Sequence, residues 1–138
     1  MISIPPLIID KTTKTPQIIF DPAGNLFEIS GRSLPENVVK TYEPVLQWID
    51  QNVGKLQNGA VFTFKVDYLN SASAKMISLI LTKLEEFYKS GISLEVKWYY
   101  NLDDDDIQSE GEIYAKLKKI PIKLIGVENE GDDDEDDD

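Results

Sequence analysis

Two stretches of the chain alternate apolar and polar residues with a period of two. In "VFTFKVDY" (Val61 to Tyr68), Phe62, Phe64, Val66 and Tyr68 fall on one side, and Thr63, Lys65 and Asp67 on the other. Further on, Ile92, Leu94, Val96 and Trp98 oppose Ser93, Glu95, Lys97 and Tyr99. Each predicts a strand with one buried face, so Tyr68 and Trp98 are expected in the core. Between the two, Met76, Ile77, Ile80, Leu81, Leu84, Phe87 and Tyr88 recur at helical spacing, and Gly91 supplies a C-terminal stop. Strand, helix and strand within about 40 residues predict a right-handed crossover between parallel strands. Parallel strands covered on both faces would read as unbroken apolar runs. The alternation therefore predicts a mixed sheet with helices mainly on one face and the other partly open.

The flanks extend that picture. Leu7 to Ile9, Gln17 to Phe20 and Leu26 to Ser30 are short β-rich runs, with "DPAGN" as a turn before the third, and they read as an antiparallel meander. Asn37 is placed to cap a helix carrying Val38, Tyr42, Val45, Leu46, Ile49, Val53 and Leu56 on one face. Pro44 removes one hydrogen bond there, which predicts a kink or a later start. A third helix, Asp105 to Lys118, presents Ile107, Ile113, Tyr114 and Leu117, with Glu112 four residues before Lys116 as a supporting pair. A last strand runs from Ile122 to Val127. The sum is an α/β (α+β) domain of about six strands and about three helices over residues 1–127.

Composition removes whole classes of chemistry. The 138 residues are 41% hydrophobic, enough for one self-sufficient core, and include no cysteine and no histidine. Thiol nucleophiles, imidazole bases, disulfides and the usual zinc ligands are excluded. Neither a signal peptide nor a membrane span is read, so a cytoplasmic protein is expected. Of the net charge of −11, most belongs to "ENEGDDDEDDD", Glu128 to Asp138, which is expected to be a disordered, solubilising tail. No basic stripe exists to neutralise phosphates, so nucleic acid is not an expected partner.

Candidate chemistry gathers where the first alternating strand turns into its helix, at "DYLNSASAKMI" (Asp67 to Ile77). Ser71 and Ser73 sit at a helix N-terminus, where a serine can cap the free N–H groups or carry a phosphate those groups tolerate. Parallel strands end on one edge, so "NLDDDD" (Asn101 to Asp106) is expected beside Ser71. The aspartates suit the capping of the third helix, and they lack the spacing of a calcium loop, so no metal site is predicted. Lys75 either steadies a phosphate or is solvated. Arg32 and Glu36 flank a proline loop as a surface ion pair or a partner contact. Tyr99 and Tyr100 begin the exposed end of a strand, where at least one suits an interface. A small enzyme using Asp67, Asp104 and Lys75 is a weaker alternative, because no phosphate cradle or nucleophile elbow accompanies them. A purely structural, acidic binding module with capping serines is another.

Three segments carry a resemblance: "GRSLPEN" (Gly31 to Asn37), "FKVDYLNSASAKMI" (Phe64 to Ile77) and "VKWYYNLDDDDIQSEGEIYA" (Val96 to Ala115). In this order they resemble the SiaC-type family of bacterial regulatory phosphoproteins, related in fold to STAS domains of the anti-sigma-factor-antagonist type. The resemblance implies a STAS-like mixed sheet and a non-enzymatic partner switch without a cofactor, with a STAS-type anti-sigma-factor antagonist as the alternative function. It also implies a serine/threonine protein kinase, a PP2C-type phosphatase and, as output partner of the unphosphorylated form, a diguanylate cyclase that makes cyclic di-GMP in biofilm regulation. The residue after "YLN" carries the phosphate in that family, which maps to Ser71, with Ser73 as the alternative. Partner contacts are expected at Tyr68, Leu69, Asn70, Lys75, Arg32, Glu36, Tyr99, Asp103, Asp104 and Asp105.

Overall fold

The computed structural model describes residues 3–128. The expected acidic tail, apart from Glu128, lies outside them. In chain order the elements are β1 (Leu7–Ile9), β2 (Gln17–Asp21), β3 (Leu26–Ser33), α1 (Val38–Asn52), a 3₁₀ turn (Val53–Lys55), β4 (Ala60–Leu69), α2 (Ser71–Lys89), β5 (Leu94–Asn101), α3 (Asp105–Leu117) and β6 (Ile122–Val127). The strands form one mixed sheet in the order β1-β2-β3-β4-β5-β6. The first three pair antiparallel, and β3 to β6 run parallel.

Three successive crossovers step across the sheet in the same direction. Crossovers of one hand that step the same way place every helix on the same face. The burial follows: Phe62, Phe64 and Val66 of β4 are buried, whereas Val61, Lys65 and Asp67 face solvent on the open side. Phe27 and Phe62, register partners on β3 and β4, hold their ring centroids 4.8 Å apart, and Phe20 meets Phe62 edge-on at 5.3 Å. Trp48 of α1 closes this cluster 5.1 Å from Phe20 and donates its indole N–H to the Pro5 carbonyl at 2.8 Å, tying down the N-terminal segment.

Local signals explain most element ends. Asn37 caps α1 by accepting the Lys40 N–H at 3.0 Å. The helix runs through Pro44 and does not begin there; Pro44 lies on its exposed side. Gly91 stops α2 with φ +113°, a conformation only glycine adopts freely. Two expectations for α3 fail: Ile113 and Leu117 are exposed, and Glu112 accepts from Gln108 instead of reaching forward to Lys116. The helix packs instead through Ile107, Tyr114 and Gly111.

Gly111 lets α3 lie directly on Trp98, which is fully buried, stacks on Phe64 at 5.7 Å and donates its indole N–H to the Ile107 carbonyl at 2.9 Å. A Cβ at Gly111 would stand 2.3 Å from Trp98 Cδ1 and 2.9 Å from Leu124 Cδ2. Gly111→Ala is therefore expected to destabilise the fold by about 1–3 kcal/mol, the usual cost of overpacking a rigid core. Urea denaturation of the two proteins checks it; an unchanged midpoint would show that α3 can lift off the indole freely.

Candidate functional site

The β3–β4 ladder breaks once, and the break shapes the site. Gly31 pairs with Val66, but the next partners are Arg32 and Tyr68, leaving Asp67 as an extra residue in β4. Gly31 takes φ +99° at this point. A one-residue bulge inverts every later side chain. Tyr68, expected in the core, is consequently 48% exposed, while Leu69 turns inward to pack on it. Trp98, on unbulged β5, is in the core as expected.

Beyond the bulge the sheet opens. Register between β4 and β5 stops at Phe64 and Trp98, although β3–β4 pairing continues to Leu69 and β5–β6 pairing to Val127. On the open face, the parted strands leave a hollow of about 280 Å³ bordered by Lys65, Asp67, Tyr99, Tyr100 and Asn101. Over the edge, a groove of about 330 Å³ runs between the start of α2 and the start of α3. Asp67, Tyr68, Leu69, Asn70, Ser71 and Ala74 form one wall; Asp104, Asp106, Ile107 and Glu110 form the other. Among the described residues, four carboxylates thus share the groove with the Ser71 hydroxyl, and no lysine or arginine lines it.

The two serines have separate environments. Asn70, not a serine, caps α2: its side chain accepts the Ser73 N–H at 2.8 Å. Ser71 is the first helical residue, follows the Asn70 cap and is exposed. Ser73 is fully buried. Ser33 Oγ donates to Ser73 Oγ at 2.7 Å and lies 2.7 Å from the Tyr42 hydroxyl. The capping role expected of Ser71 or Ser73 is therefore corrected, because Asn70 already holds the third N–H.

Opposite, Asp104 caps α3 by accepting the Ile107 N–H at 3.1 Å, and Asp105 and Asp106 lie in its first turn. Tyr114 of α3 directs its hydroxyl to the Ala74 carbonyl, 3.0 Å away, and to the Glu110 carboxylate, joining α3 to the start of α2. Burial, then the adjacent Glu110 carboxylate, holds the Tyr114 hydroxyl far above its ordinary value. Burial likewise raises Tyr42, against a smaller opposing effect of its serine partners.

Other predicted residues lie around this centre. Arg32 is exposed beside Tyr68, its register partner. Glu36 stands 4.0 Å from Lys14, so the pairing with Arg32 is corrected. Tyr99 carries the Lys65 ammonium 5.0 Å above its ring, on the open face. Asp103 and Asp105 are exposed and border a shallower acidic hollow with Asn101. Lys75 is exposed on α2 and does not line the groove, so the trio of Asp67, Asp104 and Lys75 is not assembled. Sequence reasoning missed Glu110 and Ser33; Glu110 precedes Tyr114 by four residues, a spacing that was available.

Residues 9–127 match the family model of the SiaC family regulatory phosphoproteins. The chain belongs to the SiaC family. An uncharacterized protein of Pseudomonas aeruginosa strain UCBPP-PA14 is 25% identical over 118 residues, covering 86% of this chain and 94% of that one. The SiaC-family fold is shared with solved structures from Pseudomonas aeruginosa. SiaC in complex with the diguanylate cyclase SiaD, which it activates, is similar with TM-score 0.82 and 25% identity over 88% of this chain and 99% of that one. Apo-SiaC is similar with TM-score 0.79 and 26% identity, covering 88% and 98%. No helix among the described residues is long and apolar enough to cross a membrane.

The raised tyrosines make stability depend on alkaline pH. Above about pH 10 the unfolded chain releases these protons while the folded chain keeps them, so the folded state binds more protons and stability falls as pH rises. Each group contributes a slope of up to about 1.4 kcal/mol per pH unit. Denaturation between pH 9 and 11.5 should show this loss, and Tyr114→Phe should make it shallower; an unaltered slope would exclude Tyr114 as its source.

Proposed function

We propose that this chain is a non-enzymatic signalling phosphoprotein whose unmodified form binds and activates a diguanylate cyclase. Phosphorylation of Ser71 by a serine/threonine protein kinase ends that contact, and a PP2C-type phosphatase restores it. One observation carries the reading: Ser71 alone of the two serines is exposed, and among the described residues the groove it borders is lined by four carboxylates and no lysine or arginine.

The physics of such a switch is simple. The unmodified edge offers a partner an uncharged hydroxyl beside exposed apolar side chains, Tyr68 next to Ser71 and Leu102 before the start of α3, within an acidic rim. Aromatic residues of this kind anchor interfaces. A phosphate adds about −1.5 to −2 charges. The helix N-terminus tolerates that charge while it remains in water. Covered by a partner, it meets Asp67, Asp104, Asp106 and Glu110 without a compensating lysine or arginine among the described residues that line the groove. Burying an uncompensated charge costs about 3–5 kcal/mol. That is roughly a hundredfold to several thousandfold in affinity, enough to release the partner.

Leu69, Asn70, Asp103, Asp105 and Arg32 lie at the same edge or beside it and complete the proposed contact surface; Lys75, Glu36 and Tyr99 form its margins. The SiaC–SiaD complex supports a cyclase as the partner, since this chain shares that activator's fold and family.

Mass spectrometry of the protein from its host should find phosphate on Ser71 and none on Ser73. In titration against the host's SiaD-type cyclase, Ser71→Asp should weaken binding about a hundredfold with an unchanged melting temperature, and Ser71→Ala should bind like the unmodified protein. Full-strength binding by the phosphorylated protein would reject the switch.

A further inference from the structure

Ser33, Tyr42 and Ser73 come from the end of β3, the first half of α1 and the first turn of α2, and all three are fully buried. Their hydroxyls form a directed chain. Ser33 spends its single proton on Ser73 Oγ and must therefore accept from Tyr42, so donation runs from Tyr42 to Ser33 to Ser73.

Two backbone contacts close this chain into a ring. The Asn70 N–H donates to the Ser33 carbonyl at 3.1 Å, and the Ser73 N–H donates to Asn70 Oδ1 at 2.8 Å. Ser71 and Ala72 are the two residues spanned by the ring. The bulge after Val66 is what brings Ser33 and Leu69 into register at this point. Ser33 and Ser73 are two of only three buried polar residues among those described, the third being Asn52. Hydroxyls in an apolar interior add little net stability over well-packed apolar groups, but a buried network in which every oxygen has a partner favours one geometry.

We propose that Tyr42, Ser33 and Ser73 are positioning residues that hold the Ser71 turn in a single preformed conformation for its kinase and its partner. This rests on the reading of Ser71 given above and extends it to a residue on another helix. First turns of helices ordinarily fray. Here the ring pins that turn to the sheet, and Tyr42 pins the ring to α1. A turn held in its binding geometry spares a partner the ordering cost, and a loosened one lowers the apparent affinity by the fraction of time it is out of place.

The test is Tyr42→Phe, which keeps the aromatic side chain and removes the terminal donor, with Ser73→Ala as a second variant that removes the acceptor at the other end. Amide exchange of Ser73 and Ala74, whose N–H groups donate to Asn70, should accelerate about tenfold, the loss expected for one buried hydrogen bond, while Ile80, Leu81 and Leu84 further along α2 keep their protection. The rate of Ser71 phosphorylation and the affinity for the cyclase should fall by a similar factor in both variants. Exchange that rises evenly along α2, or not at all, overturns the proposal by making the hydroxyls merely structural. Local acceleration with unaltered phosphorylation and binding overturns it equally, leaving Ser71 as the switch. A wild-type chain that is neither phosphorylated nor bound marks instead the failure of the functional reading beneath it.

Discussion

The parallel ladder between β3 and β4 is the interaction on which the rest of this molecule depends. Its first half stacks Phe27 on Phe62 and Ile29 beside Phe64, and so builds the core under α1. Its second half, after the insertion of Asp67, sends the same two strands into a different register. One ladder thereby serves both stability and presentation. Before the bulge even-numbered residues of β4 point to the helices; after it Leu69 does, and Tyr68 faces water. The cost of the break is small because Gly31 absorbs it in a backbone conformation that costs a glycine little.

The parting of β4 from β5 follows from the same event. A strand that bends to keep its pairing with β3 leaves its other neighbour, and the bulged strand twists more strongly. The crevice left at the carboxyl edge is where the first turns of α2 and α3 face one another, held together by Tyr114 reaching Ala74. Groove, exposed serine and exposed tyrosine are therefore consequences of one inserted residue. The acidic character of the groove has a further origin in capping: Asp104 is there to hold the Ile107 N–H, and acids in the first turn suit the helix dipole. Two of the carboxylates that stabilise the start of α3, Asp104 and Asp106, are therefore among those that share the groove with Ser71.

Capping also separates the two serines. Because Asn70 takes the N–H of Ser73, neither serine is needed as a cap, and their hydroxyls are available for other work. Ser73 is drawn inward to Ser33, and Ser71, two residues earlier on a helix of 3.6 residues per turn, points roughly to the opposite side. A helix start can thus place one hydroxyl in the core and the other in solvent within three residues.

Much of this architecture was written in local pattern. Alternation in β4 and β5, helical spacing in α2, Asn37 as a cap and Gly91 as a stop are all properties of neighbouring residues, and local sterics and side-chain periodicity suffice to read them. The one-sided sheet followed from the same alternation, and the nearness of Ser71 to the aspartates followed from parallel strands ending together. What the pattern misplaced depends on partners distant in sequence. Tyr68 continues a flawless alternation; only pairing with β3 inserts the bulge that turns it out. Ile113 and Leu117 have the right spacing for a core, yet α3 packs through Gly111 because the indole of Trp98 occupies the space a side chain would need. Ser71 and Ser73 are chemically identical in the sequence. Only Ser33, 40 residues before Ser73, decides which of them is buried, because a hydroxyl enters a core only where the fold brings it a partner.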